Sequence, residues 1–158
     1  LAVALGAFIL PVYSEEKNTE YSFYTGTFDF SDEGKATSLI GIQHQNEELN
    51  RDTFLGNISP VTGVMFMQNS ASYVYTGIQA QYKVGKLNFN PSFTPGIYGE
   101  GNGKNLGHIV EFKSELQLTV DLFENSEFGL KYNHLSNANL GDKNPGANSY
   151  MLNFLKRF

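Results

Sequence analysis

Residues 134–148 read HLSNANLGDKNPGAN, and their first three residues place a serine two positions after a histidine. An imidazole that removes the hydroxyl proton while the oxygen attacks a carbonyl is the pairing that nucleophilic acyl transfer needs. In an extended chain, residues i and i+2 point to one side, roughly 6.5–7 Å apart at Cα. His134 and Ser136 would then share a face. Asn148 is predicted to open the next strand with the same orientation, which would gather three hydrogen-bonding side chains near one rim. From the residues alone, this set also fits a polar patch at an interface.

Other chemistry-bearing residues point less far. His44 and His108 lack partners at zinc-ligand spacing and read as strand-end or rim residues. Glu111 and Glu115 share a polar face with Lys113, and a hydrogen-bond and charge network with Lys113 and Lys131 is expected there. Residues 99–103, GEGNG, lack the following helix and Lys-Ser/Thr of a phosphate loop, so they read as a hairpin turn. Asp29, Asp32 and Glu33 read as a solvated turn, with a bridging cation as the lesser reading.

These residues sit in a chain of 158 residues with net charge −5, 41% hydrophobic and 17% charged, with 16 Gly, 13 Phe, 9 Tyr and no Trp. The charged share is below the usual value of about 25%. No Lys/Arg cluster offers a footprint for nucleic acid, so no nucleic-acid partner is expected. The absence of Cys removes disulfides, thiolate catalysis and Cys-based zinc sites. Residues 1–14, LAVALGAFILPVYS, carry no charge and are too short to span a membrane as a helix. They resemble the end of a secretory signal peptide, leaving 15–158 as the folded domain.

Beyond Ser14, period-2 alternation replaces helical periodicity. Between residues 110 and 122, Val110, Phe112, Leu116, Leu118, Val120 and Leu122 share one face, interrupted only by Ser114. The opposite face, Glu111 to Asp121, is wholly polar. Turn signals divide the chain into eight strands near 20–30, 36–46, 57–68, 72–84, 87–99, 105–122, 126–137 and 147–158. Pro91 and Pro95 make the fifth the least regular. The fold class is therefore all-β: an eight-stranded antiparallel up-and-down barrel.

Alternation does not say which face points out. A lipocalin-like carrier turns the apolar face inward; a transmembrane barrel turns it to lipid. Export, strands long enough to span, and an aromatic C-terminus at Phe158 favour the transmembrane form. That C-terminus resembles the signature of bacterial outer-membrane barrels, which implies insertion by the barrel-assembly machinery among outer-membrane lipids.

The segment His134-Leu-Ser136-Asn137-Ala138, followed by a loop with Asn and Gly, resembles the active-site segment of the PagL-type lipid A 3-O-deacylases. These eight-stranded outer-membrane esterases are also grouped as acyloxyacyl hydrolase-like proteins. The resemblance implies Ser136 as nucleophile, His134 as general base, Asn137 as the family Asn after the Ser, and Asn144 as an oxyanion-hole residue. Backbone N–H groups near Ala138 and Asn139 would add donors. It also implies lipopolysaccharide, through its lipid A, as partner and substrate, and no metal or other cofactor.

At one position the chain departs from the pattern. The acidic residue fourteen places after the His is here Asn148. An amide oxygen can accept the imidazole N–H but supplies no charge to the imidazolium. The expected function is lipid A deacylase-like ester hydrolysis. The alternatives are a non-catalytic or weakly active, structural or lipid-binding barrel of the same family, and an unrelated adhesin-like or small-solute barrel. Asp142 reads as a solvated loop acid.

Overall fold

The computed structural model describes residues 19–158, so the proposed signal segment 1–14 lies outside the described residues. The strands are β1 (Thr19–Phe28), β2 (Thr37–Asn46), β3 (Arg51–Thr53), β4 (Gly56–Met67), β5 (Ser72–Val84), β6 (Leu87–Gly99), β7 (Val110–Phe123), β8 (Ser126–Ser136) and β9 (Ala147–Arg157). All pairings are antiparallel; β1 pairs with β9 while β2 pairs with β4, closing the sheet. β3 continues the β2 side of β4 below a short 3-10 turn, Glu47–Leu49. The barrel is therefore eight-stranded, with its second wall strand interrupted. Closure pairs the wall strands on both sides, which is what lets strands cross a bilayer.

The apolar face points outward. Phe23, Ile40, Phe66, Val74, Ile78, Phe93, Leu130 and Leu152 are all exposed on the wall. The lumen is filled by the polar face. Glu115 accepts hydrogen bonds from Lys113 Nζ (3.1 Å), Lys131 Nζ (3.2 Å) and Asn133 Nδ2 (3.1 Å), all buried. Lys113 lies over the Tyr75 ring and Lys131 over the Tyr24 ring. Those two rings fit because Gly41 and Gly63 face them: a Cβ would fall 2.2 Å from Tyr24 Cζ and 2.4 Å from Tyr75 Oη. At one mouth Arg157 pairs with Glu20 and Glu127; at the other Lys104 pairs with Asp29 (2.8 Å) and Asp32 (3.4 Å).

The expected charge network is thus present around Glu115, whereas the Glu111 carboxylate takes no part in it and accepts no hydrogen bond among the described residues. Asp29 is buried and ion-paired rather than part of a solvated turn.

Two strand details differ from, or explain, the sequence pattern. β7 begins at Val110, not near 105, because the preceding side chains bond their own backbone. Asn105 Oδ1 accepts from Gly107 N (2.9 Å) and His108 Nδ1 from Val110 N (3.0 Å), while Gly107 takes φ 94. The connection from Gly99 to Val110 is accordingly a long rim loop. In β6 the two prolines lack the N–H that would reach β5. The β5–β6 ladder accordingly has two gaps, between Tyr75↔Gly96 and Ile78↔Phe93 and between Gln79↔Ser92 and Tyr82↔Phe89, with the register unchanged across them. Pairing of β6 with β7 runs unbroken past both prolines.

Candidate active site

On β8, Phe128, Leu130, Tyr132 and His134 all point outward, and Ser136 closes the stripe, half-buried at the rim. His134 pairs across the hairpin with Asn148, and Leu135 with Ala147. The β8–β9 register therefore brings His134, Ser136 and Asn148 to one side of one wall, as the alternation predicts.

His134 Nδ1 lies 2.7 Å from Asn148 Oδ1. An amide oxygen only accepts, so this contact puts the ring proton on Nδ1 and leaves the Nε2 lone pair free. The ring leans toward Gly146, where a Cβ would stand 2.9 Å from His134 Cε1 and 3.4 Å from Nε2. Gly146 has φ 65 and lies one step past the Leu135↔Ala147 pair, across from Ser136, so the ring leans toward the Ser136 end of the hairpin. The hydroxyl itself makes no hydrogen bond to His134 in this resting geometry. Catalytic hydrogen bonds are often long or misaligned without substrate.

After Ser136 the chain turns sharply. Ala138 (φ 53) and Asn139 (φ 62) are both left-handed, and Leu140 N donates to Asn137 O (3.0 Å), which is a type I′ turn. A left-handed Ala is uncommon, and such strain gathers at functional sites. Asn137 is fully buried and anchors the turn, with its Nδ2 donating to Leu106 O and Lys143 O, both at 2.8 Å. Its backbone N–H is taken by Asn144 Oδ1 (3.0 Å), whose Nδ2 faces Asn139 Oδ1 at 3.4 Å. The backbone N–H groups of Ala138 and Asn139 make no hydrogen bond among the described residues. These two N–H groups and the Asn144 side-chain amide are the hydrogen-bond donors gathered at the turn.

Four neighbours of the site, Tyr132, Ser31, Phe30 and Ser114, are not marked as functional by the sequence pattern. Asn148 Oδ1 also accepts from Tyr132 Oη (3.0 Å), and Asn148 Nδ2 donates to Ser31 Oγ (3.1 Å). Ser31 arrives from the β1–β2 loop, which is pinned by Phe30 N donating to Asn148 O (3.0 Å). The Phe30 ring packs beside Tyr132 and Tyr150. No short-range signal links residues 117 positions apart, such as Ser31 and Asn148. Ser114 pairs directly with His134 across β7–β8 and is exposed. It does leave a signal, as the one polar break in the apolar face of residues 110–122. His44 stands against the Tyr21 ring near the end of β2, and His108 is in the rim loop, where its Nδ1 accepts from Val110 N. Asp142 is exposed in the loop.

The site is on the outer wall, not in the lumen. A polar cavity of about 670 Å³ lined by Asn88, Asp121, Glu127 and Arg157 opens at the opposite mouth.

Comparison with known proteins agrees with this architecture. The crystal structure of the outer membrane enzyme PagL superposes with a TM-score of 0.66 at 15% identity, covering 88% of this chain and 99% of that one. A designed transmembrane β-barrel gives 0.59 at 9% identity, covering 92% and 100%. The outer membrane protein Ail of Yersinia pestis gives 0.50 at 13% identity, covering 88% and 99%. These identities speak for the fold alone. No curated protein sequence matches the chain. The family model for lipid A 3-O-deacylase (PagL) matches residues 19–157, which is the whole barrel. With nearly every described residue inside that match, the chain belongs to the lipid A 3-O-deacylase (PagL) family of outer-membrane β-barrels.

Proposed function

We propose that the protein hydrolyses a fatty-acyl ester of lipid A at the outer wall of the barrel, with Ser136 as nucleophile and His134 as general base. The observation that carries this reading is the rim cluster itself. His134 Nδ1 is held by Asn148 and its ring leans over Gly146, toward the Ser136 end of the hairpin, on the outward-facing wall of a deacylase-family chain.

The chemistry follows from the contacts. His134 Nε2 takes the Ser136 hydroxyl proton as Oγ attacks the ester carbonyl. The tetrahedral oxyanion lies against the N–H groups of Ala138 and Asn139 and Asn144 Nδ2. Collapse expels the sugar oxygen, which receives the proton from His134, and water then releases the fatty acid from Ser136. Asn137 sets the path of the strained turn that presents these donors.

The placement suits a substrate already in the membrane. Connections at this end span residues 29–36, 68–71, 100–109 and 137–146; the other end has the two-residue turns 85–86 and 124–125 and one longer link, 47–55, which carries β3. Outer-membrane barrels keep short turns toward the periplasm and long loops outside. His134 and Ser136 then stand in the outer leaflet, at ester depth, with acyl chains lying along Leu130, Tyr132 and Leu152.

A second reading, a non-catalytic lipid-binding barrel of the same family, draws support from the neutral Asn148. The test is release of free fatty acid from lipid A by purified barrel in detergent. Release that Ser136→Ala abolishes supports hydrolysis; lipid A binding without release supports the second reading.

A further inference from the structure

Asn148 poses a problem that a carboxylate would not. A carboxylate offers oxygen to the imidazole in either orientation. An amide offers oxygen one way and NH₂ the other. With the NH₂ toward His134, Nδ1 must accept, the ring proton moves to Nε2, and Nε2 no longer accepts a proton from Ser136. When the triad Asp of a serine protease is replaced by Asn, the imidazole is held in that wrong tautomer and turnover collapses.

We infer that Tyr132 and Ser31 are positioning residues that hold the Asn148 amide with its oxygen toward His134, so that a neutral third residue still selects the Nδ1–H tautomer. The inference rests on the proposed Ser136–His134 reaction, and three contacts to one side chain carry it. Tyr132 Oη lies 3.0 Å from Asn148 Oδ1, on the same oxygen that faces His134 Nδ1 at 2.7 Å. Ser31 Oγ lies 3.1 Å from Asn148 Nδ2.

Both hydroxyls can donate or accept, so the sorting comes from their chemistry. A phenol is the better donor and the poorer acceptor, because its oxygen lone pair is delocalised into the ring and its proton is the more acidic. An aliphatic hydroxyl is the better acceptor. Phenol at the amide oxygen and alcohol at the amide nitrogen is the matched arrangement; the flipped amide would ask each to play its weaker part. Donation from Nδ2 to Ser31 also places more negative charge on Oδ1, strengthening its hold on the imidazole N–H. Geometry keeps both partners in place. Tyr132 is fixed on β8 opposite Tyr150. Ser31 is fixed because the next residue toward β1, Phe30, bonds Asn148 O and packs on Tyr132 and Tyr150.

The test reads the tautomer without relying on turnover. The chain has three histidines, so the ring nitrogens of His134 can be assigned in ¹⁵N-labelled barrel in detergent, with His134→Gln as the reference. Long-range ¹H–¹⁵N correlations should show Nδ1–H, Nε2-bare in the native protein. Ser31→Ala with Tyr132→Phe should move the ring toward Nε2–H and lower kcat about tenfold with little change in KM, the size of one lost hydrogen-bond preference. Asn148→Asp in that double variant should restore Nδ1–H, because a carboxylate has no wrong orientation. A native ring in the Nε2–H form, or a double variant with an unchanged tautomer, would overturn the inference. If the tautomer behaves as stated while no variant, native included, releases fatty acid, the hydrolysis reading fails and the positioning role stands.

Discussion

Replacing Asn148 by Asp adds one negative charge and almost no volume. The acceptor stays where it is, 2.7 Å from His134 Nδ1. The new oxygen takes the place of Nδ2 beside Ser31, whose hydroxyl turns round to donate; Tyr132 continues to donate to the other oxygen. The carboxylate is therefore fully hydrogen-bonded from the start. Its gain comes in the transition state, where the imidazolium forms with its charge centre about 4 Å away. At that separation a charge pair is worth about 1 kcal/mol in water and about 4 kcal/mol at an effective dielectric of 20. His134 is exposed and Asn148 half-buried at a lipid–water rim, so the value lies between these limits. Converted to rate, Asn148→Asp should raise kcat by roughly fivefold to roughly a thousandfold. The assay is initial-rate release of fatty acid from lipid A in mixed micelles at saturating substrate, on protein shown to be folded by its β-sheet circular dichroism. An unchanged or lower kcat in a folded Asn148→Asp barrel would refute the idea that the third position acts on His134 through charge and orientation.

Three further outcomes follow from the contacts. Glu115→Ala leaves Lys113 and Lys131 buried without their shared carboxylate, and should destabilise the barrel by about 3–5 kcal/mol, read from urea unfolding in detergent. Gly146→Ala places a Cβ at φ 65 against His134 Cε1 and should displace the ring, cutting kcat at least tenfold with a stability loss of about 1–2 kcal/mol. Asn137→Ala removes both hydrogen bonds that tie the turn to Leu106 and Lys143, and should lower kcat more than it lowers the unfolding midpoint, since the barrel wall is untouched.

Much of this molecule is written in period 2. The wall strands other than β7 lie close to where alternation and turn residues put them, and the outward stripe of β8 ends in His134 and Ser136 as its parity requires. What alternation could not carry is anything set by a side chain turning back on its own backbone. Asn105 and His108 delay β7 in this way, and the β3 hairpin reflects the break at residues 47–50. Nor could it carry contacts made only on barrel closure. Ser31 meets Asn148 because β1 pairs with β9, and Lys104 buries Asp29 because two rim loops converge. Ser114 is the opposite case: a polar residue in an apolar stripe is a local signal, and its cross-strand partner His134 follows once the β7–β8 register is known.

Attack of Ser136 on an acyl ester of lipid A, with His134 as its base, is tested most directly by mass spectrometry. Lipid A is incubated with the purified native barrel, beside Ser136→Ala and Ser114→Ala. Loss of a single 3-linked acyl chain is expected with the native protein, and none with Ser136→Ala. Intact lipid A after incubation with folded native barrel, or loss that persists in Ser136→Ala and disappears in Ser114→Ala, would contradict the assignment.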